Sequence, residues 1–62
     1  MNDYMDSYIT SCITYLKTFQ TSLRMAALKK DGYIDKGEQK VLDKANKATD
    51  KCIRDLEGLI GK

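Results

Sequence analysis

The sequence contains no proline, no tryptophan and no histidine, and it contains a single phenylalanine. The absence of proline favours long uninterrupted helices, because a proline inside a helix removes a hydrogen bond and kinks the chain. Without histidine the chain lacks the commonest general base near neutral pH and a favoured metal ligand. No apolar run approaches the roughly 20 residues of a membrane-spanning helix, so we expect no membrane partner.

Net charge is also small. The 62 residues include 11 basic and 9 acidic side chains, which gives a formal net charge of +2. This value is too low to indicate a nucleic-acid partner. A chain of this length forms one domain, and such a domain buries only about 60% of its unfolded surface, so it is marginally stable alone.

Two segments have the apolar spacing of amphipathic helices, one at about residues 3–29 and one at about residues 36–59. Their apolar residues recur at steps of three and four, which is typical of two helices packed lengthwise. The predicted seam of the first helix is Met5, Ile9, Cys12, Leu16, Phe19, Leu23 and Ala26. The predicted seam of the second helix is Leu42, Ala45, Thr49, Cys52, Leu56 and Leu59.

The segment between the two helices carries turn and capping signals. The pair Asp31-Gly32 favours a tight bend, because glycine adopts positive φ at little cost. Asp35 and Glu38 have the spacing of a capping box, in which each side chain accepts a hydrogen bond from the backbone amide of the other residue. These signals predict a turn at about residues 30–35 and a second helix that begins near Lys36.

The octet Asp31-Gly32-Tyr33-Ile34-Asp35-Lys36-Gly37-Glu38 resembles the second half of an EF-hand loop. Its Asp-Gly-x-Ile-Asp-x-x-Glu pattern is also similar to the helix junctions of tellurite-resistance (TerB-like) helical domains. The resemblance covers one helix–turn–helix and implies a helical fold. A calcium loop needs oxygen ligands at its first and third positions, where this chain has Ala27 and Lys29. We therefore expect no metal and no cofactor here.

The predicted fold class is all-α, an antiparallel two-helix hairpin that forms a single domain. In such a hairpin, residues whose numbers add to about 64 or 65 face each other. This register pairs Leu23 with Leu42, Leu16 with Thr49, Phe19 with Ala45, Cys12 with Cys52, and Met5 with Leu59 or Ile60. Because the first helix is apolar on more than one side, we expect two hairpins to form a four-helix bundle or a higher oligomer.

The outer side of the first helix is rich in hydroxyl groups and poor in charge, with Lys17 as the only charged residue from Ser7 to Leu23. Either the hydroxyls face water and bond back to the preceding turn, or a subunit or partner covers them, because hydroxyls are easier to bury than charges. The candidate partner or ligand face consists of Tyr8, Thr10, Ser11, Thr14, Tyr15, Lys17, Thr18, Thr21 and Arg24.

Cys12 and Cys52 are predicted neighbours. They form either a disulfide or redox pair, or two small reduced thiols in the core, which is a common role of free cysteine. A zinc site is not expected without further cysteines or a histidine. The chain starts without the basic and apolar regions of a signal peptide. This start predicts a cytoplasmic location, where thiols stay reduced.

Two further groups have alternative interpretations. The tyrosines of the first helix either stack on a base or small aromatic ligand, with Lys17 or Arg24 on a phosphate, or form the rim of a helix–helix interface. Lys29 and Lys30 either contact a phosphate or form a solvated helix end that the dipole favours.

The sequence contains no nucleophile with a base partner, no glycine-rich phosphate loop and no acid pair placed for acid–base catalysis, so no enzyme is expected. Three functions remain as hypotheses. The first is a small interaction protein (an inhibitor, adaptor or assembly factor) that acts on another protein through its helix faces as an oligomer. The second is an oligomer that binds or sequesters a small ligand, such as a nucleotide, between subunits. The least favoured is a nucleic-acid-binding hairpin, because acidic and basic residues alternate along the second helix.

Overall fold

The computed structural model describes residues 2–61, and within that range it contains two α-helices and no strand. Helix α1 comprises Asp3–Lys29 and helix α2 comprises Lys36–Glu57. The helices pack against each other as an antiparallel hairpin, which confirms the predicted fold class. The hairpin is long and flat, with Cα extents of 46 × 17 × 8 Å.

The turn between the helices is built as its local sequence predicts. Gly32 adopts a positive φ of 80°, and its amide donates a hydrogen bond to the Leu28 carbonyl at 2.8 Å. At the start of α2, the Glu38 amide donates to Asp35 Oδ1 at 2.7 Å, and the Asp35 amide donates to Glu38 Oε1 at 3.1 Å. Both halves of the predicted capping box are therefore present.

Replacing Asp35 with alanine is expected to lower the free energy of unfolding by about 1 kcal/mol, because the first turn of α2 loses its side-chain acceptor. Asp31→Ala is the matched control. Asp31 Oδ1 accepts a long hydrogen bond of 3.4 Å from the Tyr33 amide, so its loss should cost less. Urea unfolding followed by circular dichroism measures both variants. Equal losses would contradict the assignment of the cap to Asp35.

Helix α2 ends at Glu57, two residues before the predicted end at residue 59. The next turn is tighter than an α-helical turn. In it the Leu59 amide donates to the Leu56 carbonyl, three residues back, at 3.0 Å. Leu59 therefore lies beyond the helix and is 42% exposed, so it does not belong to the seam.

The two helices bury a narrow strip. The buried residues are Ile13 of α1 and Leu42, Thr49 and Ile53 of α2. Half-buried apolar residues, which extend the strip along both helices, are Ile9, Leu16, Leu23, Ala27, Ala45 and Leu56. Thr49 is accommodated because its hydroxyl donates to the Ala45 carbonyl at 2.7 Å. Across the helices, Gln20 Nε2 donates to Asp50 Oδ1 at 2.7 Å.

The observed seam differs from the predicted one by about one residue on each helix. The predicted seam residues that are exposed instead are Met5, Cys12, Phe19, Ala26, Cys52 and Leu59. The residues that take places in the strip are Asp6, Ile13, Gln20, Ala27, Asn46 and Ile53. Each helix has two neighbouring apolar strips, and one partner helix covers only one of them. Where Cys12 and Cys52 were predicted to meet, the structure buries Ile13 and Ile53 instead, and burial of two isoleucines removes more apolar area from water than burial of two cysteines.

Candidate functional site

The uncovered apolar strips of the two helices lie on the same side of the hairpin. In an antiparallel pair, the residue just before a buried residue points to the same side from either helix. Ala26 and Val41 hold such positions, and they line one groove together with Leu23 and Leu42. We call this side the apolar face. It consists of Met5, Tyr8, Cys12, Tyr15, Phe19 and Ala26 of α1, and of Val41, Ala45, Ala48, Cys52 and Leu59.

The apolar face exposes large side chains. Phe19 is 45% exposed, and Tyr8 and Tyr15, at the outer edge of the face, are 79% and 74% exposed. Met5 and Val41 are also more than half exposed. Isolated apolar residues are normal on a protein surface, whereas large contiguous apolar patches are typical of interaction sites.

Three carboxylates border the apolar face within residues 2–61. Asp35 and Glu38 lie at the hinge end, where they form the capping box. Asp55 lies near the other end, and its Oδ2 is 2.8 Å from Lys51 Nζ. The hydrogen bond from Lys51 to Asp55 raises the pKa of this exposed lysine. None of these carboxylates is an unpaired charge in the middle of the face, so an apolar partner can cover the face without burying an isolated ion.

A groove of about 510 Å³ lies between the helices at the hinge end of the apolar face. Its walls are Leu23, Ala26, Ala27, Val41 and Leu42, and it ends at Asp35, Gly37 and Glu38. This volume is within the range of small-ligand sites, about 300–1,000 Å³. The groove is therefore large enough to hold a small apolar group.

Three threonine hydroxyls on the other side of α1 are hydrogen-bonded within their own helix. Thr10 Oγ1 donates to the Asp6 carbonyl at 2.8 Å, and Thr14 Oγ1 donates to the Thr10 carbonyl at 3.2 Å. Thr21 Oγ1 donates to the Lys17 carbonyl at 3.4 Å. Because their donors are already paired, a partner can cover these side chains without leaving an unsatisfied hydroxyl.

The structure divides the nine predicted face residues between different sides of α1. Thr14, Lys17, Thr18 and Thr21 line one depression of about 330 Å³ together with Ser22, and we call these four residues the hydroxyl face. Tyr8 and Tyr15 belong to the apolar face instead. Thr10, Ser11 and Arg24 are exposed but do not line the depression.

Cys12 and Cys52 are free and exposed, so the expected buried thiol pair is not part of the core. The shift of the seam accounts for this result, because Ile13 and Ile53 occupy the positions that the cysteines were expected to fill. Both thiols lie on the apolar face. Sequence analysis also assigned Met5 and Phe19 to the core. The width of the apolar arc on α1 indicated that some of these residues would stay exposed, because the arc is wider than one partner helix can cover.

Among residues 2–61, no three histidine, cysteine, aspartate or glutamate side chains are grouped so as to hold a metal ion. Neither described helix combines the length and apolar character needed to cross a membrane. Comparison of the chain with protein-family models, curated proteins and solved structures finds no match. The similarity of the turn to EF-hand and TerB-like segments stays a prediction.

Proposed function

We propose that this chain is a small non-enzymatic interaction protein of the inhibitor, adaptor or assembly-factor type, which acts through its helix faces as an oligomer. One observation carries the proposal. The 27-residue helix α1 contains a single buried residue, Ile13, and a single charged residue from Ser7 to Leu23. Charged residues are depleted at the centres of protein interfaces, where aromatic residues and methionine are enriched.

The two faces of α1 suit different partners. The apolar face offers aromatic and aliphatic side chains and suits another apolar helical surface. The hydroxyl face has one cation, Lys17, and the hydroxyls of Thr14 and Thr21 are hydrogen-bonded within the helix, so this face suits a protein surface that is polar but weakly charged. Because the faces point to different sides of the hairpin, both can be occupied at once. The free thiols fit a reducing compartment, and we place the protein in the cytoplasm.

A photoreactive amino acid at Thr18 tests this function in extracts of the source cell. We expect light to attach one particular protein to the hydroxyl face, and mass spectrometry then identifies that protein. The matched control carries the same group at Lys47, which is exposed on α2, and should attach no particular protein. Excess unlabelled chain should compete with the attachment, whereas the chain with Thr14→Glu and Thr18→Glu should not. Identical products at both positions would contradict the proposal.

The hinge groove favours a second candidate function, the binding or sequestration of a small ligand. Its apolar walls and its volume of about 510 Å³ are what such a function needs. Native mass spectrometry of gently purified protein should then show a reproducible small extra mass. Ala26→Leu, which fills the groove, should remove that mass. A bare protein mass in repeated preparations would exclude this candidate.

A further inference from the structure

We propose that a second copy of this chain covers the apolar face, in a four-helix bundle whose two-fold axis runs parallel to the helices. In this arrangement α1 of one copy lies on α2 of the other copy. Cys12 of one copy then lies beside Cys52 of the other. This inference rests on the proposal that the chain acts through its helix faces, and it assigns an occupant and a geometry to one of them.

The size of the exposed surface fits one additional copy. The hairpin exposes 5005 Å², whereas a compact monomer of 7.1 kDa exposes about 4,100 Å². The excess of about 900 Å² is close to the roughly 800 Å² that each partner buries in a standard stable interface. The flat side of the hairpin, 46 by 17 Å between Cα atoms, also has an area of about 800 Å².

The shape of the chain leads to the same conclusion. Its radius of gyration is 14.5 Å, whereas a compact domain of this length has a radius of about 11 Å. Each dimension of the hairpin agrees with half of a bundle: the length is that of one helix, and the thickness is that of one layer. A second layer on the apolar face completes the usual cross-section of a four-helix bundle.

The charges along the apolar face favour a second copy over a lipid surface. A helix that binds an anionic membrane carries lysine and arginine beside its apolar strip. Such residues border only one edge of the face, on α2, where Lys44, Lys47 and Lys51 lie beside Ala48 and Lys51 is paired with Asp55. On α1 the only charged residue from Ser7 to Leu23 is Lys17, and it projects from the side that is turned away from the face. An anionic membrane would contact both edges at once, whereas another apolar helical face needs no cations along α1.

The distribution of large and small residues selects the direction of the two-fold axis. Most large members of the face belong to α1, namely Met5, Tyr8, Tyr15 and Phe19, and most small members belong to α2, namely Ala45, Ala48 and Cys52. The exceptions are the small residues Cys12 and Ala26 on α1 and the large residues Val41 and Leu59 in the second half of the chain. An axis perpendicular to the helices would stack α1 on α1, with large residues against large ones. An axis parallel to the helices stacks α1 on α2, so that large residues enter the spaces above small ones, as knobs-into-holes packing requires.

A parallel axis also fixes which residues meet. Leu23 and Leu42 line the same groove, and Gln20 is hydrogen-bonded to Asp50, so residues whose numbers add to between 65 and 70 lie at similar heights along the hairpin. Rotation about a parallel axis keeps these heights unchanged. Phe19 of one copy therefore lies over Ala45 and Ala48 of the other. The size-matched pairs that the sequence pattern predicts within one chain are formed between two chains.

The tyrosines agree with this arrangement. Tyr8 and Tyr15 lie at the outer edge of the face, where the ring can pack on the other copy while the hydroxyl reaches water. Tyrosines favour this position at interfaces. Neither hydroxyl then needs a buried partner.

Two single-cysteine variants test both the dimer and its axis. Cys12→Ser retains only Cys52, and Cys52→Ser retains only Cys12, so neither variant can link its own two helices. The variants are mixed, allowed to exchange subunits, and treated with a short bismaleimide, in which each thiol adds across one maleimide double bond. We expect covalent dimers in the mixture, in up to about half of the chains, which is the share that random exchange places in mixed two-fold dimers. Crosslinking in the mixture should be faster than in either variant alone, because Cys12 lies directly beside Cys52 of the other copy, whereas equal cysteines face each other across the axis.

The other outcomes would overturn the inference. Slower crosslinking in the mixture than in either variant alone would contradict the stacking of α1 on α2 of the other copy. A dimer in native mass spectrometry without any crosslink in the mixture would move the interface away from the apolar face. A monomer at micromolar concentration would exclude self-association. A monomer would also remove the oligomer from the proposed function, but none of these results affects the partner attached through Thr18, so failure of this inference is distinguishable from failure of protein binding.

Discussion

The Leu42→Ala variant is expected to lose most of its helical structure in dilute solution. Leu42 is the most buried of the described apolar core residues, with 3% of its surface exposed. Removing a buried leucine side chain costs about 2–5 kcal/mol. A chain of 62 residues has a total stability of roughly 3–9 kcal/mol. Only Ile13 and Ile53 accompany Leu42 as buried apolar residues within residues 2–61, so we expect the hairpin to lie near the lower end of that range.

Val41→Ala is the matched control for Leu42→Ala. Val41 is the neighbouring residue, but 62% of its surface is exposed. Its truncation should cost less than about 0.5 kcal/mol in dilute solution, as is usual for surface substitutions. Urea titrations at low protein concentration, followed by far-ultraviolet circular dichroism, measure both variants. If Val41→Ala destabilised the hairpin as much as Leu42→Ala, the rotational setting of α2 described here would be wrong.

The hinge could be predicted from the sequence because its interactions are local. The positive φ of Gly32 and the two hydrogen bonds of the capping box join residues within a short segment. Their formation depends little on the rest of the chain. The start of α2 follows from the same signals, whereas its end at Glu57 depends on the tight turn that follows.

The rotational setting of the helices could not be predicted from either helix alone. Each helix has two adjacent apolar strips, and periodicity does not rank them. The choice depends on how both helices pack together, and here Ile13 and Ile53 become buried while Phe19 becomes exposed. The hydrogen bond between Gln20 and Asp50 also joins residues far apart in the chain, so the sequence around either residue does not predict it.

The difference between local and long-range interactions also explains which part of the predicted partner face was correct. That threonines can bond back to the preceding turn is a local property, and Thr10, Thr14 and Thr21 do so. The separation of the hydroxyl face from Tyr8 and Tyr15 depends on where α2 lies beside α1. Sequence analysis therefore identified α1 correctly as poor in charge from Ser7 to Leu23, but it merged two surfaces into one.

Phe19→Glu is expected to separate the proposed dimer into folded monomers. Phe19 lies near the middle of the apolar face, and central aromatic side chains contribute about 2 kcal/mol or more to an interface. A glutamate there would also place an unpaired carboxylate against Ala45 and Ala48 of the other copy, which is costly. We expect the dissociation constant to rise at least about 100-fold, which corresponds to about 2.8 kcal/mol. Sedimentation velocity over a range of concentrations measures this change.

Thr18→Glu is the matched control for Phe19→Glu, since it adds the same charge one residue away on the hydroxyl face. It should leave the dissociation constant of the dimer nearly unchanged, and it should weaken attachment of the partner at that face. Phe19→Glu should retain its helical content as a monomer, because Phe19 is already 45% exposed in the single hairpin. Dissociation of both variants to the same extent would show that charge alone, and not its position, separates the copies.

Two variants that introduce opposite charges, Phe19→Glu and Ala48→Lys, test the direction of the axis independently of the cysteines. Ala48→Lys should also weaken the dimer, because it places a large cation opposite Phe19 of the other copy. When the Phe19→Glu and Ala48→Lys chains are mixed, the glutamate of one copy meets the lysine of the other, and the second α1–α2 contact keeps its original residues. The mixture should therefore dimerise more tightly than either variant alone. If α1 lay on α1, residue 19 of one copy would never approach residue 48 of the other, and mixing would restore nothing.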